Sequence, residues 1–325
     1  MYVTLNDWAD TMEREYLRDF ISNGGAAVKF VVAPNRQLQE AVRGRVRELA
    51  SDSGCQHAFV NAAQTRVHMI DQLFFAVSRQ IDWDELTRDY VRELLIAERF
   101  TIPEDPAGLT YRQVAALNEY DEHELRRDLR QALTKGLFRD YAMAQEFRYA
   151  MLRLCQAQLE PDALQQAERD AILQWLRGEL RLISALKQAL IFQKIGRHNA
   201  RNMFLSLAHW LRVCGRSGIV LVLDIQRYLA QQRPSDGSLY HTPNTVLDAY
   251  EVLRQFIDTT DELEGCFIVV VAPTEFLDDP RRGLEKYAPL QTRIWDEVHD
   301  RSRANPLSSL IRLQVDDPAE RSHEW

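Results

Sequence analysis

The chain has 325 residues, of which 46% are hydrophobic and 27% are charged. This composition is typical of a globular protein, and the length suffices for one large core or for a core domain with an insertion. The net charge of −8 argues against a surface that is basic overall, although it allows a local basic groove. The sequence has no apolar run long enough to span a membrane, and because its N-terminus is acidic and lacks a continuous apolar core we expect no secretory signal.

The cysteines lie far apart and form no C-x-x-C pair: Cys55, Cys155, Cys214 and Cys266. This spacing is typical of reduced, mostly buried thiols in a cytoplasmic protein. His198 and His209 are predicted to lie on one helix, too far apart in sequence to share a metal ion. We therefore predict a cytoplasmic protein without a metal site.

The N-terminal region predicts a helix followed by a strand–helix–strand unit. Apolar residues recur with helical spacing over 5–22, and Asn23-Gly24-Gly25 ends this helix. The segment AAVKFVVAP (26–34) predicts a buried strand, because it is rich in Val and Phe and stops at a proline. A helix from Leu38 to Leu49 and a strand over 57–62 follow, which suits a parallel crossover.

Residues 65–215 show helical periodicity almost throughout. In HELRRDLRQALTKG (123–136), arginines alternate with acidic residues in a pattern typical of a salt-bridged helix surface. The periodicity predicts an all-helical insertion. Breaks between its helices are predicted at Pro103, 106–108, Gly136, Pro161 and Gly196.

Strand character returns in the last third of the chain. The segments 218–224 and 265–273 are nearly continuous apolar runs, which is expected of strands covered by helices on both faces. A helix over 243–258 separates them, and SSLIRLQ (308–314) predicts a fifth strand. The predicted fold class is α/β: a three-layer parallel sheet with a large all-helical insertion. The predicted organisation is a core over 1–64 and 216–314, an insertion over 65–215 and an acidic tail over 315–325.

The order of these elements, with an apolar strand that ends at Asp224, resembles the additional-strand P-loop ATPases. Three ordered segments make the resemblance more specific: WLRGE (175–179), residues 199–224 and residues 272–294. They resemble the ATP-binding domain family of BREX-type and related phage-defence gene clusters. The resemblance implies a P-loop NTPase-like, AAA-like core, and a place in a bacterial antiviral complex.

The loop that should bind phosphate departs from the family pattern. The resemblance implies G-x-x-x-x-G-K-[ST] after the first strand, where backbone amides, Lys and a hydroxyl hold phosphates and magnesium. The four defining positions hold Ala33, Leu38, Gln39 and Glu40. Each charge-assisted phosphate contact that is lost costs on the order of 1.5–3 kcal/mol. We therefore predict a vestigial loop without physiological nucleotide binding, with Arg36 as a candidate substitute cation.

The rest of the implied site is also incomplete. Asp224 keeps the position of the magnesium-associated carboxylate, with a strand cap as the alternative, whereas Ile225 replaces the Glu that would activate water. Thr274 matches a polar sensor position, and a turn residue is the alternative. Arg293 matches an arginine that such ATPases present to a nucleotide, often one held by a neighbouring subunit. Its alternatives, a surface arginine or completion of a neighbour's site, stay open.

Basic residues cluster around QKIGRHNARN (193–202). Lys194, Arg197 and Arg201 are candidates for contacts with nucleic-acid phosphates. A solvated junction between two helices is the alternative interpretation.

We therefore predict a catalytically degenerate P-loop ATPase-like subunit, a pseudo-ATPase, that acts as a scaffold or regulator in a bacterial anti-phage defence complex. It is expected to need no cofactor and to contact other protein subunits, with DNA reached through a DNA-processing partner and no membrane contact. One alternative is an active ATPase with a non-standard or partner-completed site that uses ATP and Mg²⁺. Another is a DNA-binding adaptor.

Overall fold

The structure, a computed structural model, describes residues 2–105, 109–160, 162–295 and 305–314. The strands in this part of the chain are β1 Tyr2–Val3, β2 Ala26–Val32, β3 Gln56–Asn61, β4 Ile219–Asp224, β5 Cys266–Ala272 and β6 Leu310–Leu313. The α-helices are α1 Leu5–Met12, α2 Arg36–Asp52, α3 Ile70–Ser78, α4 Trp83–Ala97, α5 Tyr111–Leu117, α6 Glu122–Leu133, α7 Gln145–Leu159, α8 Ala163–Leu176, α9 Ala200–Val213, α10 Gln226–Leu229, α11 Pro243–Asp258, α12 Glu275–Asp278 and α13 Ala288–Ile294.

The chain forms two compact units. The first contains the residues up to Met69 and those from Ser217 onward, and the second contains Ile70–Arg216. The predicted acidic tail, 315–325, lies outside the described residues.

The first unit is built on one sheet of six parallel strands in the order β1-β6-β2-β5-β4-β3. Every residue of β4 and of β5 is buried, as their continuous apolar runs predict. The α/β fold class with a parallel sheet is confirmed. The predicted number of five strands is wrong, because Tyr2 and Val3 add a short edge strand that pairs with Arg312 and Leu313. Two residues are too few to show any periodicity in the sequence.

Helices cover both faces of this sheet. On one face, side chains from the strands, including Val222 and Val269, join a core with Trp8 of α1 and Val46 of α2. On the other face, Phe30 of β2 stacks on Phe276 of α12, with ring centroids 5.7 Å apart. Phe276 in turn meets Tyr250 of α11 edge to face. The unit therefore has three layers, helices, sheet and helices.

The predicted first helix consists of two parts. The α-helix α1 continues as a π-helix over Glu13–Ile21. The chain then turns through Gly24, which adopts the left-handed conformation predicted for the helix end (φ 99°).

Helices are the only regular secondary structure in the described residues of the second unit, and large aromatic side chains make contacts between them. Trp83 of α4 packs edge to face on Phe147 of α7, with centroids 6.0 Å apart. Phe74 of α3 packs similarly on Phe204 of α9 at 5.3 Å. The predicted salt-bridged surface is present on α6, where Arg126 pairs with Glu122 at 3.1 Å.

Two local predictions in this unit are wrong. Gly136 does not break the chain into separate helices, because α6 continues directly into a π-helix over Thr134–Phe138. A Cβ at Gly136 would lie 2.7 Å from the hydroxyl of Tyr90, so close packing explains this glycine. His198 precedes α9 and does not share a helix with His209. The breaks predicted at 106–108 and Pro161 fall outside the described residues.

All four cysteines are buried free thiols, as predicted. Burial raises the pKa of Cys55 to about 11 and that of Cys266 to about 12, and it also raises the pKa values of Cys155 and Cys214. Because the thiolate is the reactive form, we expect none of them to react with a disulfide reagent near pH 8 while the protein is folded. All four should react in denaturant. Rapid stoichiometric labelling of the native protein would contradict this expectation.

None of the helices in the described ranges is both long enough and apolar enough to cross a membrane.

Candidate functional site

The segment that joins β2 to α2 is short and closed by its own hydrogen bonds. Only Ala33, Pro34 and Asn35 separate the last residue of β2 from the first residue of α2. The side-chain oxygen of Asn35 accepts a hydrogen bond from the backbone amide of Leu38 at 2.8 Å and so caps the helix. The amide of Ala33 donates to the carbonyl of Ala272 at the end of β5, at 3.0 Å. The helix thus begins inside the segment aligned with the phosphate loop.

Gln39 and Glu40 occupy the two positions where the family pattern has Lys and Ser or Thr. Gln39 is buried, and its side-chain amide donates to the carbonyl of Ala33 at 3.2 Å. It therefore ties the first turn of α2 back to the end of β2. Glu40 is exposed and pairs with Arg36 one turn earlier at 2.9 Å. A carboxylate in the first turns of this helix would repel a phosphate group placed there.

Asp224 ends β4 and is 5% exposed. One carboxylate oxygen accepts the backbone amide of Gln226 at 3.0 Å, and the other lies 3.6 Å from the guanidinium of Arg43 on α2. Burial raises the pKa of the Asp224 carboxyl, while the Gln226 amide and the charges of Arg43 and Arg36 act in the opposite direction. The guanidinium of Arg43 also lies over the ring of Phe59, 4.8 Å from its centroid. The Asp224 carboxylate is therefore paired with a cation of the same chain, the guanidinium of Arg43.

A cavity of about 370 Å³ lies beside this ion pair. Asn61 and Asp224, which are register partners at the ends of β3 and β4, both contribute to its wall. Its lining consists of charged side chains, amide side chains and small residues: Arg36, Gln39, Glu40, Arg43, Asn61, Ala63, Asp224, Gln226, Arg227, Ala230 and Gln231. The carboxyl ends of parallel strands are where open α/β sheets commonly bind ligands.

Ala33 and Leu38 of the predicted loop do not line this cavity, and neither do Ile225, Thr274 and Arg293. Ile225 is buried, and its backbone amide donates to Val271 at 3.0 Å. Thr274 is exposed at the start of α12, and its hydroxyl lies 3.4 Å from the carboxylate of Glu275. Arg293 on α13 makes a two-point ion pair with Asp258 of α11. The structure therefore brings Gln39, Glu40 and Asp224 together and places Ile225, Thr274 and Arg293 elsewhere.

Sequence reasoning missed Arg43 and Arg227. Arg43 lies one helical turn after Gln39 and Glu40, so the periodicity of α2 could have placed it near the same site. Arg227 donates to the carbonyl of Ala63, and its guanidinium lies 3.8 Å from the ring centroid of Tyr240. No motif in the sequence marks this residue.

The predicted nucleic-acid residues lie in the second unit. Lys194 donates to the carbonyl of Arg181 at 2.8 Å, Arg197 is exposed in an irregular segment, and Arg201 lies in the first turn of α9.

The residues at the end of β2 do not fit a triphosphate with magnesium. The amide of Leu38 is engaged by Asn35, Gln39 is neutral and turned onto Ala33, and Glu40 carries a negative charge. Within the described ranges, no group of three or more His, Cys, Asp and Glu side chains could hold a metal ion.

The parallel sheet places β5 between β2, which leads into the candidate loop, and β4, which ends at Asp224. Together with the flanking helices, this arrangement is a P-loop NTPase-like fold. Residues 109–320 match the family model described as "BREX system ATP-binding protein BrxC/D", and the chain belongs to this family. The resemblance inferred from the sequence is thereby confirmed. Family membership associates the chain with phage defence and with a system of several components. No curated protein and no solved structure matches the chain.

Proposed function

We propose that this chain is a catalytically degenerate P-loop ATPase-like subunit that acts as a scaffold or regulator in a bacterial anti-phage defence complex. The observation that carries the proposal is the ion pair between Arg43 and Asp224. In an active member of this fold, the carboxylate at the end of the corresponding strand serves a magnesium ion. Here a guanidinium from α2 faces that carboxylate.

The loop supports the same conclusion through independent contacts. A phosphate loop needs free backbone amides and a cation that reaches the phosphates. The Asn35 cap occupies the amide of Leu38, and Gln39 binds Ala33 in place of a ligand. Opening the contact between Gln39 and Ala33 to admit a phosphate would leave buried polar atoms of both residues without partners, at a cost of about 1–3 kcal/mol each.

One observation favours the alternative of a non-standard nucleotide site. Arg36, Arg43 and Arg227 all line the cavity at the carboxyl ends of β3 and β4, and guanidinium groups bind phosphates well. However, Arg36 pairs with Glu40, Arg43 with Asp224, and Arg227 with the carbonyl of Ala63. The charges of Arg36 and Arg43 are therefore already balanced by carboxylates, which weakens their attraction for a nucleotide phosphate.

The proposal can be tested in cells that carry the native defence cluster. Deletion of the gene should abolish protection against phage, and complementation with wild type should restore it. Asp224→Asn should restore protection equally, because a scaffold does not need a magnesium-binding carboxylate. If Asp224→Asn accumulates to the wild-type level and yet fails to protect, the chain depends on this carboxylate and the scaffold proposal is wrong.

A further inference from the structure

The connection between α8 and α9 has a charge pattern that differs from that of the chain as a whole. No Asp or Glu occurs between Glu179 and Asp224, in a chain that otherwise has 48 acidic residues and a net charge of −8. We call residues 181–197 the basic loop. It carries four cationic residues: Arg181, Lys187, Lys194 and Arg197. Its charge is therefore opposite to that of the chain as a whole.

The basic loop is firmly attached to the helical unit. Leu186, Ala189 and Ile191 are at most 1% exposed and anchor it in the core. The indole nitrogen of Trp175 donates to the carbonyl of Gln193 at 2.9 Å, and Arg153 donates to the carbonyl of Gln188 at 3.0 Å. The loop therefore has a defined conformation set by buried side chains and backbone hydrogen bonds.

Three large apolar side chains of the same loop point to solvent. Leu182 is 71% exposed, Leu190 46% and Phe192 60%. Lys194 donates to the carbonyl of Arg181, which brings the end of the loop near Phe192 to its beginning near Leu182. The loop therefore displays apolar side chains among cationic ones.

Leu190 also adopts a left-handed backbone conformation, with φ of 59°. This conformation is unfavourable for a leucine, which has no side-chain group to stabilise it. It is held because the buried neighbours Ala189 and Ile191 fix the chain on either side, and the amide of Ile191 donates to the carbonyl of Leu186 at 3.2 Å. Strained backbone conformations cluster at functional sites, and exposed apolar side chains that lie together mark interaction surfaces.

We propose that the basic loop is the docking surface for an acidic, amphipathic segment of another protein of the same defence system. Leu182, Leu190 and Phe192 would form the apolar centre of the interface, and the four cationic residues would form its charged rim. This inference rests on the proposed scaffold function, because it supplies the surface through which a scaffold holds a partner.

The chemistry favours a protein over single-stranded nucleic acid as the occupant. Nucleic-acid surfaces of this kind combine phosphate contacts with aromatic side chains on which bases stack. Two of the three exposed apolar residues here are leucines, which offer no stacking face and instead fit apolar side chains of a protein. The cationic rim selects carboxylates on that protein.

The test uses the full chain, co-expressed with the other proteins of its own gene cluster and purified through an affinity tag. We expect one cluster protein to co-purify with the wild type and to slow hydrogen exchange of the amides over 181–197. The double variant Leu182→Ser/Phe192→Ser should weaken this complex at least about tenfold, as loss of central apolar contacts does. Lys187→Glu/Arg197→Glu should weaken it as well. The wild-type complex should weaken when salt is raised from about 50 to about 300 mM.

The matched control is Leu164→Ser on α8, because Leu164 is 84% exposed and lies outside the basic loop. It should leave the complex unchanged. All variants change exposed side chains, and unchanged circular dichroism would establish that they fold. The proposal is overturned if no cluster protein binds, or if Leu182→Ser/Phe192→Ser binds as well as Leu164→Ser. It is also overturned if the wild type binds a 20-nucleotide oligo-dT and the same variants abolish that binding.

The binding test of the basic loop and the phage-protection test of the scaffold function can succeed or fail independently. A partner that is lost with the loop variants supports the docking surface even if Asp224→Asn fails to protect cells. A wild-type complex that is indifferent to the loop variants removes the docking surface even if Asp224→Asn protects fully.

Discussion

Gly218→Ala is expected to destabilise the protein by roughly 2–4 kcal/mol, because the substitution combines a steric clash with an unfavourable backbone conformation. Gly218 lies just before β4 with φ of 155°, a conformation that L-residues rarely adopt. An added Cβ would lie 2.1 Å from the carbonyl oxygen of Gly265. That oxygen accepts the backbone amide of Ile219 at the start of the β4–β5 pairing, so it cannot move away without disturbing the centre of the sheet.

Gly44→Ala is the matched control for this substitution. Gly44 lies in α2, and a Cβ there would meet no atom within 4 Å. Because glycine is a poor helix former, we expect this change to stabilise the protein by about 0.5–1 kcal/mol. Urea-induced unfolding of both variants, followed by circular dichroism, measures the two effects. Equal stability of the two variants would contradict the close approach of Gly218 to Gly265.

Arg43→Met is expected to destabilise the protein by about 1–3 kcal/mol at neutral pH, because it leaves the buried carboxylate of Asp224 without its cation. Asp224→Asn in the same chain should recover most of this loss, since the asparagine carries no charge. Asp224→Asn alone should change stability little. The double-mutant cycle of these variants measures the coupling between the two side chains.

The pH dependence of Arg43→Met follows from the raised pKa of Asp224. A carboxyl whose pKa is higher in the folded than in the unfolded protein binds more protons when folded, so its contribution to stability improves as the pH falls through that range. The loss caused by Arg43→Met should therefore shrink between about pH 7 and about pH 4. The double variant Arg43→Met/Asp224→Asn lacks the carboxyl, so we expect its stability to show no such pH dependence from this site. A loss that grows on acidification would exclude Asp224 as its source.

The fold could be predicted wherever local pattern and buried packing agree. The apolar runs of β4 and β5 and the helical spacing of α11 each predict their element closely, because burial on both faces or on one face imposes a distinct period. β1 could not be predicted, since its two residues are held by pairing with β6 at the far end of the chain. Gly136 led to a wrong prediction of a helix break. Its role is to leave room for the hydroxyl of Tyr90, a contact that the local sequence does not reveal.

The sequence could predict which residues form the candidate site, but it could not predict which partners these residues contact. Alignment to the family motif identifies Gln39, Glu40 and Asp224 from the sequence alone. The pairing of Arg43 with Asp224 depends on how α2 lies against β4, a contact between residues far apart in the chain. The same holds for Arg293, whose ion pair with Asp258 requires α13 to lie beside α11. Motif spacing specifies which residues are present, and the long-range packing decides what each of them binds.

Isothermal titration calorimetry with ATP and magnesium tests most directly the proposal that this chain is a pseudo-ATPase. The purified chain, titrated to millimolar nucleotide in the presence of Mg²⁺, should give no saturable heat. A triphosphate in the loop at the end of β2 would have to break the contact of Gln39 with Ala33, and a magnesium ion at Asp224 would have to displace Arg43. Saturable binding with a micromolar dissociation constant, weakened by Asp224→Asn, would contradict the account and favour an active nucleotide site.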